Sequence, residues 1–321
     1  MQPNQTVFPV IIAIAMSGVI GAAVAQEYPR RVIRLVTAEA GGGSDLAARI
    51  LTPLLSGNLG QPVVVENRGG GVIAGEVVAK APPDGHTLLV YGNTFWLLPL
   101  MRANVSYDPV RDFLPVSLMA MTPGVLVIHP SLPVNAVSAL IALAGAKPGV
   151  LHYASAAPGT TSQLGAELFK SMTGINIVRL GFKGAPSAMN ALLTGEAHVM
   201  FAIVAPAVAN AKAGRVRALA VTSARRTTLA PDFPTMGEAG LPGFEVTFTP
   251  GLFAPAGTPA PIIDRLNREI TRLIERPEIR ERYLSVGMEA LGYSPDIFAA
   301  AIQREMAAIG KLVKSAGIRE D

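Results

Sequence analysis

The chain has 321 residues, no cysteine, four histidines, and 27 basic against 23 acidic side chains; half of it is apolar and 16% is charged. The apolar content excludes a disordered chain, the aperiodic glycines exclude a collagen-like one, and the length points to two globular units. The absence of cysteine excludes disulfide scaffolds, thiolate zinc sites, iron–sulfur clusters and cysteine nucleophiles, and a net charge of +4 without clustering argues against nucleic acid as a partner.

The first element is an uncharged apolar run from Val7 to Ala25, closing in Ala23-Val24-Ala25, whose small residues suit a signal peptidase. Met1 to Thr6 lacks the usual Lys or Arg, and a retained anchor is the alternative, since the run is long enough to span a bilayer. Pro9 and Gly18 interrupt it, so residues 1–25 are read as a signal peptide cleaved near Ala25. The mature product then works outside the cytoplasm, where ATP and NAD are scarce.

Strand-like and helix-like runs alternate after that. Val32–Val36, Val63–Glu66, Thr87–Tyr91, Val116–Ala120 and Val125–Ile128 read as strands, the last two separated by Pro123-Gly124. Leu151–Ala154, Ile175–Val178, His198–Phe201 and Val216–Ala220 continue the series, with helical patterns such as Ser138–Ala144 and Leu164–Met172 between them. The rhythm predicts an α/β fold with mainly parallel sheets and helices on both faces. In the last seventy residues only helical stripes stand out: Ile262, Ile263, Leu266, Ile270 and Ile274, then Phe298, Ile302, Ile309 and Val313. Helices without strands of their own must cover a sheet built from the first half. The chain is therefore expected to cross between two lobes near Pro123-Gly124 and again near Pro250-Gly251. The expected division is 26–124 plus 250–321 for lobe one and 125–249 for lobe two. No internal repeat or low-complexity tract is seen.

Two loops invite a chemical reading. Gly41-Gly42-Gly43-Ser44-Asp45 joins a strand to a helix, where N–H groups at the helix start attract an anion; Ser44 or Asp45 would cap that helix. A plain tight turn explains the same residues. Tyr153 to Gln163 repeats the arrangement, with Ser155, Thr160, Thr161 and Ser162 as hydroxyls and Thr160 with Gln163 in a capping-box pattern. One such loop per lobe would grip a single anion across a cleft. Gly69-x-Gly71-x-x-Ala74 mimics a dinucleotide fingerprint, but its helix stops by Pro82 and no acid follows at the required distance. No Gly-x-Ser-x-Gly elbow or phosphate loop is present, and His86, His129, His152 and His198 are isolated in sequence. No catalytic residue, metal ligand or cofactor is therefore expected. Trp96 follows a first-lobe strand, as a reporter of closure or as core.

These motifs match a known pattern. Ile33-Arg34-Leu35-Val36, Gly42-Gly43-Ser44-Asp45, Gly60 to Arg68, Ala81 to Leu89, Tyr107 to Phe113, Tyr153-Ala154-Ser155, Gly165 to Lys170, Phe182-Lys183-Gly184, Arg217 to Thr222 and Ala254 to Pro259 carry it. Together they resemble the substrate-binding receptors of tripartite tricarboxylate transporters, the Bug family of periplasmic proteins, over essentially the whole mature chain. The resemblance implies a two-lobed Venus-flytrap (periplasmic-binding-protein) fold that closes on a small organic acid and delivers it to membrane permease subunits, as a monomer in the periplasm. It also implies ligand contacts from Ala40, Gly42, Gly43 and Asp45 in one loop and from Ser155, Gly159, Thr160, Thr161 and Gln163 in the other. Phe182, Lys183 and Gly184 would edge the pocket, and Asp45 serves equally well as a helix cap.

Departures from the family pattern fall at the specificity end. Glu39 stands where a proline or small apolar residue is usual, and Ala202 where many members carry an aspartate. Ala157 or Pro158 and Gln163 replace an asparagine and a histidine, and an aromatic is missing around Thr249-Pro250. Loss of the acid at Ala202 disfavours ammonium-bearing ligands unless Glu39 supplies a charge. Glu39 turned to the cleft would repel dianions; turned to solvent, it would do neither. The alternatives to a transport receptor are a ligand-sensing subunit for a membrane signalling partner and an extracytoplasmic hydrolase.

Overall fold

The computed structural model describes residues 28–69, 72–156 and 159–319. The signal segment at 1–25 lies outside the described residues, as do Gly70, Gly71, Ala157 and Pro158. Among the described residues no helix is long and apolar enough to cross a membrane.

The first sheet grows from three parallel strands, β1 (Ile33–Thr37), β2 (Val63–Asn67) and β3 (Thr87–Tyr91), in the order β2-β1-β3. Helices α1 (Gly43–Leu59) and α2 (Ile73–Ala79) make the crossovers, and α3 (Thr94–Met101) follows β3. Strand β4 (Phe113–Ile128) then runs for 16 residues and serves both sheets. Beyond it come α4 (Val137–Ala146), β5 (His152–Ser155), α5 (Thr161–Thr173), β6 (Val178–Gly181), α6 (Ala185–Thr194), β7 (Val199–Ile203), α7 (Val204–Lys212) and β8 (Arg217–Val221). The return passes through β9 (Thr247–Phe248) and β10 (Gly251–Pro255) to α8 (Ala260–Ile274), α9 (Pro277–Ser285), β11 (Glu289–Tyr293) and α10 (Pro295–Ala316).

The pairings show how one strand joins two lobes. The first half of β4 pairs with β10 and β11, its last residues pair with β7 and β8, and Thr122 and Pro123 meet Phe248 and Thr247 of β9 between them. The outer strands are parallel as expected, with β5 against β6 and β7 in the second sheet; the pairings of β4 and β10 are antiparallel. Proline and glycine at 123–124 do not end the strand, contrary to the sequence reading. Pro123 needs no N–H at the crossing, and the Gly124 N–H goes to Thr222 Oγ1 at 2.8 Å. Thr222 also donates to the Val246 carbonyl at 2.6 Å, so one buried hydroxyl ties both crossings together.

Two further expectations change. Ile175 and Ile177 are buried on an irregular segment, and the strand begins only at Val178. The C-terminal region owns a strand after all, β11, antiparallel to β4.

Three apolar clusters hold the layers. One lies under α1, α8 and α9, where the stripe Ile262, Ile263, Leu266, Ile270, Leu273 and Ile274 is buried. Another fills lobe two beneath α6 and α7. The third continues through the crossings, from Phe95, Trp96 and Phe253 to Tyr153, Phe169 and Phe201. Each such fully buried large side chain contributes about 1.5–3 kcal/mol relative to exposure.

Candidate functional site

The described residues expected to contact a ligand sit at or just beyond the carboxyl ends of strands that have parallel neighbours. Glu39 to Asp45 follow β1, Ser155 ends β5 and Thr161 to Gln163 open α5, Phe182 to Gly184 follow β6, and Ala202 is the penultimate residue of β7. In open α/β sheets this is the edge where ligands bind.

The two grip loops are built alike. In the first, Gly41 takes φ +78°, Gly42 is the extended N-cap of α1, and Asp45 reaches back to accept the Gly41 N–H at 2.9 Å. In the second, Gly159 takes φ +76°, Thr160 is the extended N-cap of α5, and Gln163 Oε1 accepts the Gly159 N–H at 2.8 Å. An acceptor four residues on thus holds a left-handed glycine, and the first-turn N–H groups that follow receive no side-chain cap. Neither Ser44 nor Asp45 is the N-cap. The expected capping box is shifted by one residue, because Gln163 bonds Gly159 rather than Thr160.

The surroundings of the loops differ in charge. Asp45 is 2% exposed and also accepts from Arg49 Nε at 2.9 Å and Asn67 Nδ2 at 2.8 Å. Burial acts to raise its pKa, but the hydrogen bonds from Arg49, Asn67 and Gly41 outweigh that and hold the carboxyl below its ordinary range. Its oxygens are thereby committed within the protein. Asn67 also donates to the Ala38 carbonyl, so the end of β2 braces the first loop. In the second loop Ser155 is fully buried and accepts from Arg179 Nε at 2.7 Å, while Arg179 Nη2 donates to the Ala156 carbonyl at 3.1 Å. Ser162 Oγ accepts the Ala156 N–H at 3.0 Å.

The remaining positions separate. Phe182 donates its N–H to the Ser155 carbonyl and packs half-buried on the lobe-two core, Lys183 is exposed, and Gly184 is the N-cap of α6. The Glu39 side chain lies against Gly69, whose Cβ position is 3.8 Å from Oε1. Ala202 is 1% exposed with its methyl in the lobe-two core; the next residue on the pleat, Ile203, is the 40% exposed one. As a side-chain contact Ala202 is thus misplaced by the strand alternation. Sequence reasoning missed Arg49, Asn67, Arg179 and Phe248. The spacing of Asp45 and Arg49 was a local signal; the others act across the fold.

A family model, Tripartite tricarboxylate transporter family receptor, matches residues 47–318. The chain belongs to this family. Its receptors are periplasmic solute-binding proteins. Protein BugT of Bordetella pertussis is 34% identical over 314 residues, 96% of each chain. A UPF0065 protein of Pseudomonas sp. is 37% identical over 290 residues, 89% of this chain and 86% of its own. An R. palustris protein solved with adipate gives a TM-score of 0.77 at 34% identity, covering 91% of this chain and 99% of its own. The MatC protein of Rhodopseudomonas palustris with bound malate gives 0.74 at 31%, covering 89% and 100%.

Proposed function

We propose that this receptor captures a small organic acid, most simply a dicarboxylate, between its lobes and hands it to membrane permease subunits, without covalent chemistry. The carrying observation is the pair of matching glycine-to-helix starts, at Gly41–Asp45 and Gly159–Gln163, one on each side of the crossing strands. Uncapped N–H groups at two helix starts suit one anion, and contacts from both lobes stabilise only the closed form. The relatives solved with adipate and malate hold acids of this class.

Within this reading lobe one is 26–124 plus 250–321 and lobe two is 125–249. The protein acts as a periplasmic monomer after cleavage near Ala25. The backbone of Ala40, Gly42, Gly43, Gly159, Thr160 and Thr161 meets the ligand, with Ser155, Phe182, Lys183 and Gly184 completing lobe two. Asp45 and Gln163 shape the loops, and Glu39 edges the first.

A thermal-shift screen over carboxylates tests the proposal, since a ligand at a hundred times its Kd stabilises the native state by about 2.7 kcal/mol. A flat screen, together with product release from an ester library, would instead establish a hydrolase.

A further inference from the structure

The returning strand β9 brings a side chain into the region that its sequence neighbourhood did not announce. A Cβ on Gly43 would lie 2.5 Å from Phe248 Cε1, and a Cβ on Gly92 would lie 2.1 Å from Phe248 Cε2. The ring is therefore slotted between two backbones that only glycine allows so close: the first residue of α1 and the residue after β3. Phe248 remains half-buried rather than sealed in the core. Its ladder partner is Thr122 on β4, and directly opposed residues of an antiparallel pair project to one face. The Thr122 hydroxyl is buried and has no hydrogen-bond partner among the described residues. An aromatic edge, an unsatisfied hydroxyl and the start of α1 thus meet where the chain crosses between lobes.

We propose that Phe248 is a specificity-determining wall, closing the lobe-one end of the ligand site and setting the length of acid that fits. The inference rests on the organic-acid reading above. The ring presents apolar surface to a ligand's methylenes, while Thr122 offers its hydroxyl to a polar ligand atom beside them.

Isothermal titration of the wild type, Phe248→Leu and Phe248→Ala with linear α,ω-dicarboxylates from succinate to suberate tests this. Each methylene newly buried changes affinity about fourfold. Phe248→Ala should therefore raise the suberate-to-succinate affinity ratio by about tenfold or more, with Phe248→Leu between. A uniform loss across the series, leaving the ratio unchanged, overturns the wall and leaves the organic-acid reading standing. A wild type that binds none of the series sinks that reading and the wall with it. If Phe248→Ala fails to fold by circular dichroism, Phe248→Leu carries the same comparison with a smaller change in the ratio, because it removes the outer edge of the ring while keeping the slot filled.

Discussion

Gln163→Glu separates the geometry of the second loop from its electrostatics. Gln163 is 5% exposed, and its Oε1 holds the Gly159 N–H at 2.8 Å; a glutamate carboxylate accepts the same hydrogen bond, so the left-handed glycine stays in place. The substitution adds one negative charge in the first turn of α5, next to the N–H groups assigned to the ligand. At a separation of about 6 Å and an effective dielectric of about 20, two unit charges repel by about 3 kcal/mol. That corresponds to roughly a hundredfold loss of affinity. The helix dipole and the Gly159 N–H offset only part of the cost of burying that carboxylate, so the variant should melt somewhat below the wild type at pH 7.5. Titration calorimetry with the best acid from the thermal-shift screen, at pH 7.5 and again at pH 5.5, reads the effect. Burial raises the pKa of the introduced carboxyl, so lowering the pH neutralises it and affinity should partly recover, while the wild type shows no such gain. Binding within threefold of wild type at pH 7.5, by a variant that circular dichroism shows to be folded, would refute an anion at this helix start.

Asp45→Ala leaves the Gly41 N–H without its acceptor and takes one of two acceptors from the Asn67 amide, and should cost about 2 kcal/mol in urea unfolding, discounted because Arg49 is half-exposed and returns to water. Since the folded pKa of Asp45 is depressed, its contribution is present above the unfolded value and is lost as pH falls through the folded one; the variant should therefore lose less stability on acidification. Thr222→Val strands the Gly124 N–H and the Val246 carbonyl at the crossing, for an expected loss of about 3 kcal/mol in the same assay. Gly159→Ala forces a β-carbon into the left-handed region, with Met101 Cε 2.6 Å away, and should cost about 1–2 kcal/mol that Met101→Ala recovers only in part. His198 accepts the His152 N–H through Nδ1 and stacks on the His152 ring; burial, then His152 and His129, lower its pKa. Its stabilising effect is present above the ordinary histidine range and is lost as pH falls through the folded value, so the melting temperature of His198→Gln should depend less on pH below that range than the wild type's.

The parts of the fold set by local pattern were readable from the chain. A β-rich run followed by glycines and hydroxyls and then a 3.6-residue stripe could only be a strand, a turn and a helix, and both grip loops emerged from that signal. What failed was decided by distant partners. Pro123-Gly124 has the composition of a break, yet Thr222, nearly a hundred positions on, accepts the N–H that the ladder leaves over. Glu289–Tyr293 is short, half-polar and interrupted by Gly292, and only the waiting edge of β4 makes it a strand. Ala202 was placed by analogy of position, whereas the pleat turns its methyl inward. Phe248 was invisible as a site residue because its slot is made by glycines 43 and 92, each unremarkable in its own neighbourhood.

The same architecture with different charges in the two loops has a consequence for how an acid enters. In lobe one the anionic acceptor Asp45 already occupies the field of the α1 N-terminus, and Arg49 and Asn67 offset it only from the side. In lobe two the matching acceptor, Gln163, is neutral, so the field of α5 is left for a ligand, and the Arg179 guanidinium sits directly behind the loop on Ser155 and Ala156. A carboxylate therefore gains more from lobe two. In lobe one the Gly42 N–H is already held by the Glu39 carbonyl, which leaves the Gly43 backbone, the apolar edge of Phe248 and the Thr122 hydroxyl to suit the chain and far end of the same molecule. On this account the ligand docks first on lobe two and closure adds lobe one. Variants of Arg179 should then slow association, whereas variants of Phe248 change which ligand is retained.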